Sequence, residues 1–196
     1  MRLLCRTKNY QDLYGNRLAT ENICPMNVRL RSGGAIEIKT KELGGETTVA
    51  SAGKSSVKIG ERVKFGRDVV ISSTNGNILI DHDCKFDSFI KVRCSCGGSV
   101  RIESNCTMQR QSKRDVICGE HVWVGMRATL LNGVEIGAGS TIGANSFVCK
   151  KKFPPNCCLA GIPAKIIRER TAWIRDGVSI HKDIADYQEF IYDEQY

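Results

Sequence analysis

The sequence predicts an all-β fold: a parallel β-helix of triangular coils, a hexapeptide-repeat solenoid, followed by a short C-terminal helix. Three observations predict it. Val124, Leu130, Ile136, Ile142 and Val148 stand six apart, and glycine follows three of them, at Gly125, Gly137 and Gly143. Four residues after each of the first four stands a small or apolar residue: Ala128, Val134, Ser140 and Ser146. A period of six is neither the helical nor the simple strand repeat, and it fits a backbone that turns a corner every six residues. Upstream, Gly34-Ala-Ile36-Glu-Ile38, Val57-Lys-Ile59, Ile78-Leu-Ile80 and Val100-Arg-Ile102 share one shape, and their last isoleucines lie 21, 21 and 22 residues apart.

Residues 1–27 lack the period and read as an irregular lead-in. Residues 28–162 form the solenoid, with six-steps at Ile59, Phe65 and Ile71 and again at Ile80, Phe86 and Val92. Corner insertions at Ser72-Ser-Thr-Asn-Gly-Asn77 and Cys94-Ser-Cys-Gly-Gly98 carry turn-forming residues. The repeat that starts at Ile102 fails at Gln109-Arg-Gln-Ser-Lys-Arg114, so a loop near 109–115 leaves the solenoid. After Val148 the chain exits through Lys150-Lys-Lys-Phe-Pro-Pro155. In residues 163–196 a helix is expected from Pro163, with Ile166, Ile167, Arg170, Trp173 and Ile174 as its apolar stripe and Gly177 as its stop.

A formal charge of +8 favours anionic ligands, yet the basic residues are dispersed and no nucleic-acid-binding module is visible. No stretch approaches the roughly 20 apolar residues of a membrane span. Ten cysteines could suggest disulfides, but Cys84, Cys106 and Cys118 fall in inward slots where a small apolar residue belongs. With no signal-peptide pattern at the N-terminus, a cytoplasmic protein with reduced thiols is expected. Cys94 and Cys96 fall in a loop, where a lone Cys-x-Cys lacks the second ligand pair of a zinc site, so no metal is expected.

Asp115-Val-Ile-Cys-Gly-Glu-His-Val-Trp-Val-Gly125, the repeats through Val148, and Ala160-Gly-Ile-Pro-Ala-Lys165 resemble the hexapeptide-repeat acyltransferases. Among them they are most similar to the O-acetyltransferases of polysaccharides and sugars. The resemblance covers roughly residues 115–170; upstream only the repeat matches. It implies a left-handed β-helix, a homotrimer, acetyl-CoA as cosubstrate in the groove between subunits, and a sugar or polysaccharide as acceptor. It also implies the donor-binding residues: Trp123 at the acetyl and acceptor site, pantetheine along Gly125, Gly137, Gly143 and Ala144, and phosphates near Lys150, Lys151, Lys152, Lys165 or Arg168.

A sugar hydroxyl needs a base, and histidine, with an unperturbed pKa of about 6.5, suits that role. The resemblance places the usual histidine upstream of the tryptophan matched by Trp123, where this chain has Gly98 to Val100 and no histidine. The candidates that remain are His82, in Asp81-His-Asp-Cys84, and His121, two residues before Trp123; His181 lies in the tail. His82 also matches the Glu-His-Asp-Cys segment of the sialic-acid-type O- and amino-sugar N-acetyltransferases. Two other functions stay open. One is N-acetylation of an amino sugar, whose neutral amine needs no base; the other is a catalytically silent solenoid that holds a polysaccharide or a partner.

Overall fold

The computed structural model describes residues 34–40, 47–74, 76–94, 115–149 and 151–174, with the backbone alone at 9–11, 17–20 and 27–31. Three sheets form the sides of a parallel β-solenoid of about five turns. The first has eight strands; its solenoid run passes through Arg17–Thr20, Ala35–Ile38, Ser56–Ile59, Asn77–Ile80, Val116–Cys118, Val134–Ile136 and Lys152–Phe153. The second stacks Lys64–Phe65, Lys85–Phe86, Trp123–Val124, Thr141–Ile142 and Cys158–Gly161. The third stacks Asn27–Arg31, Thr48–Ala52, Val70–Ser73, Lys91–Cys94, Thr129–Leu131 and Phe147–Val148.

The six-residue period is the side of this triangle. Each strand buries alternate side chains, so Ile59, Phe65, Ile71, Ile80, Phe86 and Val92 all point inward, as do the four-after residues Ala128, Val134, Ser140 and Ser146. Each fully buried aliphatic side chain contributes about 1.5–3 kcal/mol, and the core runs unbroken from coil to coil. Corner amides continue the ladder: Gly60 N–H donates to Ile80 O at 2.8 Å, and Gly66 N–H to Phe86 O at 2.8 Å.

Two corners turn through the left-handed region. Arg62, Asp83, His121, Gly139 and Asn156 form one column, with φ between 52° and 68°. Asp68, Phe89, Arg127 and Asn145 form the other, with φ between 53° and 64°. All but Gly139 carry a side chain, so the solenoid accepts backbone strain of about 1–2 kcal/mol at each L-residue. That strain lets the side chains stack from coil to coil.

Several expectations are corrected. The lead-in is not irregular throughout: Arg17–Thr20 pairs in parallel with Ala35–Ile38, and Asn27–Arg31 with Thr48–Ala52, so the solenoid begins before residue 28. It also continues past Val148, because Lys152–Phe153 and Cys158–Gly161 add a coil on Glu135–Ile136 and Thr141–Ile142. No helix starts at Pro163. Ala164–Arg168 is a strand, antiparallel to Cys158–Gly161, entered through Gly161 at φ 107° and a cis Ile162–Pro163 bond. Of the stripe read as helical, Ile166 packs against the core and Trp173 on His121, while Ile167 and Arg170 are exposed; Gly177 lies outside the described residues, as do Cys96, Cys106, His181 and the loop at 109–114.

Cys94 ends a third-sheet strand and is buried, not on a loop. Burial pushes the Cys118 thiol from 9.0 up to about 12. Cys84 is raised well above its ordinary value, first by burial and then by the Cys118 beside it. Iodoacetamide at neutral pH is therefore expected to modify the partly exposed Cys149 and Cys158 and to spare Cys84, Cys94 and Cys118 in the folded protein. The raised thiols add a pH slope. The Cys118 contribution is complete below about pH 9 and is lost as pH climbs toward 12, at about 1.4 kcal/mol per unit, and Cys84 acts in the same direction. Melts across that window read it; an alkaline plateau in stability is the contrary result.

Candidate functional site

Outward side chains on the second sheet form a ladder, because each parallel pair places equivalent residues above one another. Lys64, Lys85, Trp123, Thr141 and Cys158 are successive rungs. Lys85 Nζ lies 4.7 Å above the Trp123 ring and 3.8 Å from Asp87 Oδ1. Trp123 Nε1–H donates to Asp87 Oδ2 at 3.2 Å. A half-buried indole thus stands on an open sheet face with a cation over it and a carboxylate at its edge. Below it, Lys64, Lys85, Asp87, Ser88 and Met126 line a cleft of about 470 Å³.

The neighbouring corner carries the second feature. Asp83 bridges two rungs of the left-handed column: Arg62 Nε lies 3.6 Å from its Oδ1, and His121 Nδ1 2.6 Å from its Oδ2. His121 Nε2 meets the backbone carbonyl of Trp173 at 2.8 Å. Both ring nitrogens are thus engaged inside the protein, and neither faces the open sheet. At 1% exposure, stacked on Trp173 at 4.1 Å between centroids, His121 serves as a structural anchor.

His82 is arranged differently. Its side chain is 42% exposed, and Nε2 lies 3.5 Å from Asp81 Oδ1. The same carboxylate oxygen accepts from the His82 backbone N–H at 2.8 Å, which fixes Asp81 beside the ring. Nδ1 accepts from the exposed Glu61 N–H at 3.1 Å, so Nδ1 holds the lone pair and Nε2 the hydrogen. His82 lies three residues before Lys85, whose partner across the ladder is Trp123. Asp83, the residue after His82, faces His121 and Arg62 instead.

The residues expected to hold the donor do not all converge in one protomer. Gly125, Gly143 and Ala144 lie on the corner after the second sheet, whereas Gly137 lies on the corner before it. A side chain at Gly137 would strike Pro154 and Pro155, and one at Gly125 would strike Ile142 O and Ala144 N. Coil stacking by itself therefore requires glycine at both positions. Gly143 is looser, with Ala160 Cβ 3.2 Å from an added Cβ. Lys165 and Arg168 are exposed on the outermost strand of the second sheet. Lys151 sits by the first sheet, Nζ 5.3 Å from the Phe153 ring centre, and Lys152 pairs with Glu135 at 2.6 Å. Lys150 lies outside the described residues.

Asp83, Asp87 and Trp173 gained roles here that sequence reasoning missed. The signal existed for Asp83, which stands 21 residues after Arg62 in the same corner slot. Nothing local linked Trp173 to His121, 52 residues away.

Comparison with known proteins agrees with this architecture. The family Bacterial transferase hexapeptide (six repeats) matches residues 115–150. "Polysialic acid O-acetyltransferase" of Escherichia coli O1:K1 / APEC is 34% identical over 127 residues, 65% of this chain and 40% of that protein. "Putative lipopolysaccharide biosynthesis O-acetyl transferase WbbJ" of Escherichia coli K12 is 46% identical over 109 residues, 56% of this chain and 51% of that protein. The chain thus spans about half the length of these relatives or less. The crystal structure of the polySia specific acetyltransferase NeuO superimposes with a TM-score of 0.74 at 28% identity, covering 89% of this chain and 80% of that one. The six-residue coils and their stacked corners agree with that family match, which covers residues 115–150 of this chain.

Proposed function

We propose that this protein is an acetyl-CoA-dependent O-acetyltransferase acting on a sugar or surface polysaccharide, working in the cytoplasm as a homotrimer of left-handed β-helices. The observation that carries this reading is the superposition on a polysialic-acid-specific acetyltransferase over most of both chains, with Trp123 facing outward on the second sheet. The ladder suits a saccharide acceptor. An aromatic face stacks on a sugar ring, and the cations Lys64 and Lys85 beside the cleft favour an acidic one.

In the transfer, the acceptor oxygen attacks the thioester carbonyl, its proton passes to a base, and the C–S bond breaks to release the thiol. His82 is the proposed base: the Asp81 carboxylate stands 3.5 Å from Nε2, and the Nδ1 lone pair exchanges the exposed Glu61 amide for the acceptor hydroxyl. On the donor side, Lys165 and Arg168 supply cations for phosphates, and the small corner Gly143–Ala144 leaves room for an extended chain.

One observation favours a second reading. The Nδ1 lone pair of His82 is already engaged by Glu61 N–H, and an amino-sugar acceptor would need no base. Calorimetry with acetyl-CoA tests the shared part of both. Micromolar to millimolar binding is expected, weakened about tenfold, or about 1.4 kcal/mol, by Lys165→Glu. Absence of binding at millimolar ligand would defeat both and leave a solenoid that holds a polysaccharide or partner.

A further inference from the structure

The chain contains two tryptophans, Trp123 and Trp173, and they meet, with ring centroids 5.8 Å apart and planes at 46°. Trp173 arrives on a strap that runs back along the left-handed corner column. Thr171 N–H donates to Asn156 O at 2.7 Å, and Asn156 Nδ2 donates to Thr171 O at 3.2 Å. Two residues on, Trp173 Nε1–H donates to His121 O at 2.7 Å, while its own carbonyl receives His121 Nε2. Between Asn156 and His121 the column holds Gly139, at φ 68°, so no side chain obstructs the strap at that rung.

We infer that this strap is part of the transfer site: Trp173 fixes the tilt of the Trp123 indole, and Asp83, through His121, fixes Trp173. The inference rests on the proposed acetyl transfer, in which Trp123 walls the reacting groups. Without Trp173, Trp123 keeps, among the described residues, one side-chain hydrogen bond to Asp87 and one cation contact, both from the exposed sheet face. Such partners leave the ring free to turn, because water competes for each of them. Trp173 differs: it is 6% exposed and bound through its ring, its N–H and its carbonyl. It is a positioning residue, and so is His121, whose ring nitrogens face Asp83 and the strap. This explains why a histidine lies buried beside Trp123 without serving as a base.

Trp173→Phe and Trp173→Ala each leave Trp123 as the only indole, so fluorescence reads its surroundings directly. Phenylalanine keeps the stack; alanine removes it. Acrylamide quenching of Trp123 is expected to rise at least about twofold from the phenylalanine to the alanine variant, as a wall opens and the ring loosens. In the same proteins kcat/KM for acetyl transfer to a saccharide should fall about 10–100-fold with alanine and recover to within about threefold with phenylalanine, the cost of a misplaced contact. Equal quenching in the two variants would overturn the strap's hold on Trp123. Looser Trp123 with unchanged kcat/KM would overturn its role in transfer. Should the alanine variant melt below assay temperature, Asp83→Asn weakens the anchor without emptying the stack, and unchanged kcat/KM there is equally fatal. A wild-type protein that transfers no acetyl group would sink the proposed reaction, while quenching still judges the strap.

Discussion

Gly137→Ala is expected to destabilise the protein by about 3 kcal/mol or more, the upper end of overpacking costs, and to lower its melting temperature by about 6–12 °C. The added methyl would lie 2.6 Å from Pro155 Cα and closer still to Pro155 N and Pro154 C. These are backbone atoms of two consecutive prolines, whose fixed φ leaves little room to yield. Relief requires the last coil to lift. That would stretch Gly137 N–H to Phe153 O, now 3.0 Å, and displace Asn156, which anchors the strap at Thr171. Gly143→Ala is the matched control, since its methyl would sit 3.2 Å from Ala160 Cβ and 3.4 Å from Leu159 O, distances that small shifts can absorb. Its cost should stay below about 1 kcal/mol. Thermal melts of the two variants settle the matter, and equal melting temperatures would show that the final coil is not tightly stacked on Gly137.

The solenoid was legible because its information is local and repeated. Whether Ile80 or Phe86 points inward depends on a six-residue count, and every coil repeats the answer. The segment after Gly161 was not legible, because Ile166, Arg170, Trp173 and Ile174 fit helical spacing as well as any surface helix. The open edge of Cys158–Gly161 decides the outcome, since an unpaired strand edge gains most from a partner, and that edge is a tertiary fact. The glycines teach the same lesson in reverse. Gly125 and Gly137 read as ligand contacts in the linear motif, yet the neighbouring coil fills the space above each. The site was half visible. Trp123 could be singled out from the motif and Lys85 from its register, but the tie between His121 and Trp173 spans 52 residues with no periodic signal.

Removing the His82 ring should be the most damaging single change to transfer onto a hydroxyl: His82→Ala is expected to lower kcat about 10²–10⁴-fold, or about 2.7–5.5 kcal/mol in the barrier. Of the two described histidines, geometry favours His82. His121 is 1% exposed, with Asp83 at one ring nitrogen and the Trp173 carbonyl at the other, so neither nitrogen faces a saccharide acceptor. His82 keeps one lone pair, at Nδ1, opposed only by the exposed amide of Glu61 at 3.1 Å, which water can satisfy once the acceptor arrives. Asp81 supplies the orienting half of the pair and is itself held by the His82 backbone N–H. Asp81→Asn should therefore cost less than His82→Ala, because the ring and its Nδ1 lone pair remain and the amide oxygen can still accept from the His82 backbone N–H, while the charge that stabilises an imidazolium is gone. Amine acceptors separate the two chemistries, since a neutral amine attacks with its own lone pair and His82→Ala should leave that transfer within about tenfold of wild type. Parallel assays with a sugar hydroxyl and an amino sugar measure both numbers. A loss below about threefold on the hydroxyl acceptor would remove His82 from the reaction and leave the amine route as the chemistry this site supports.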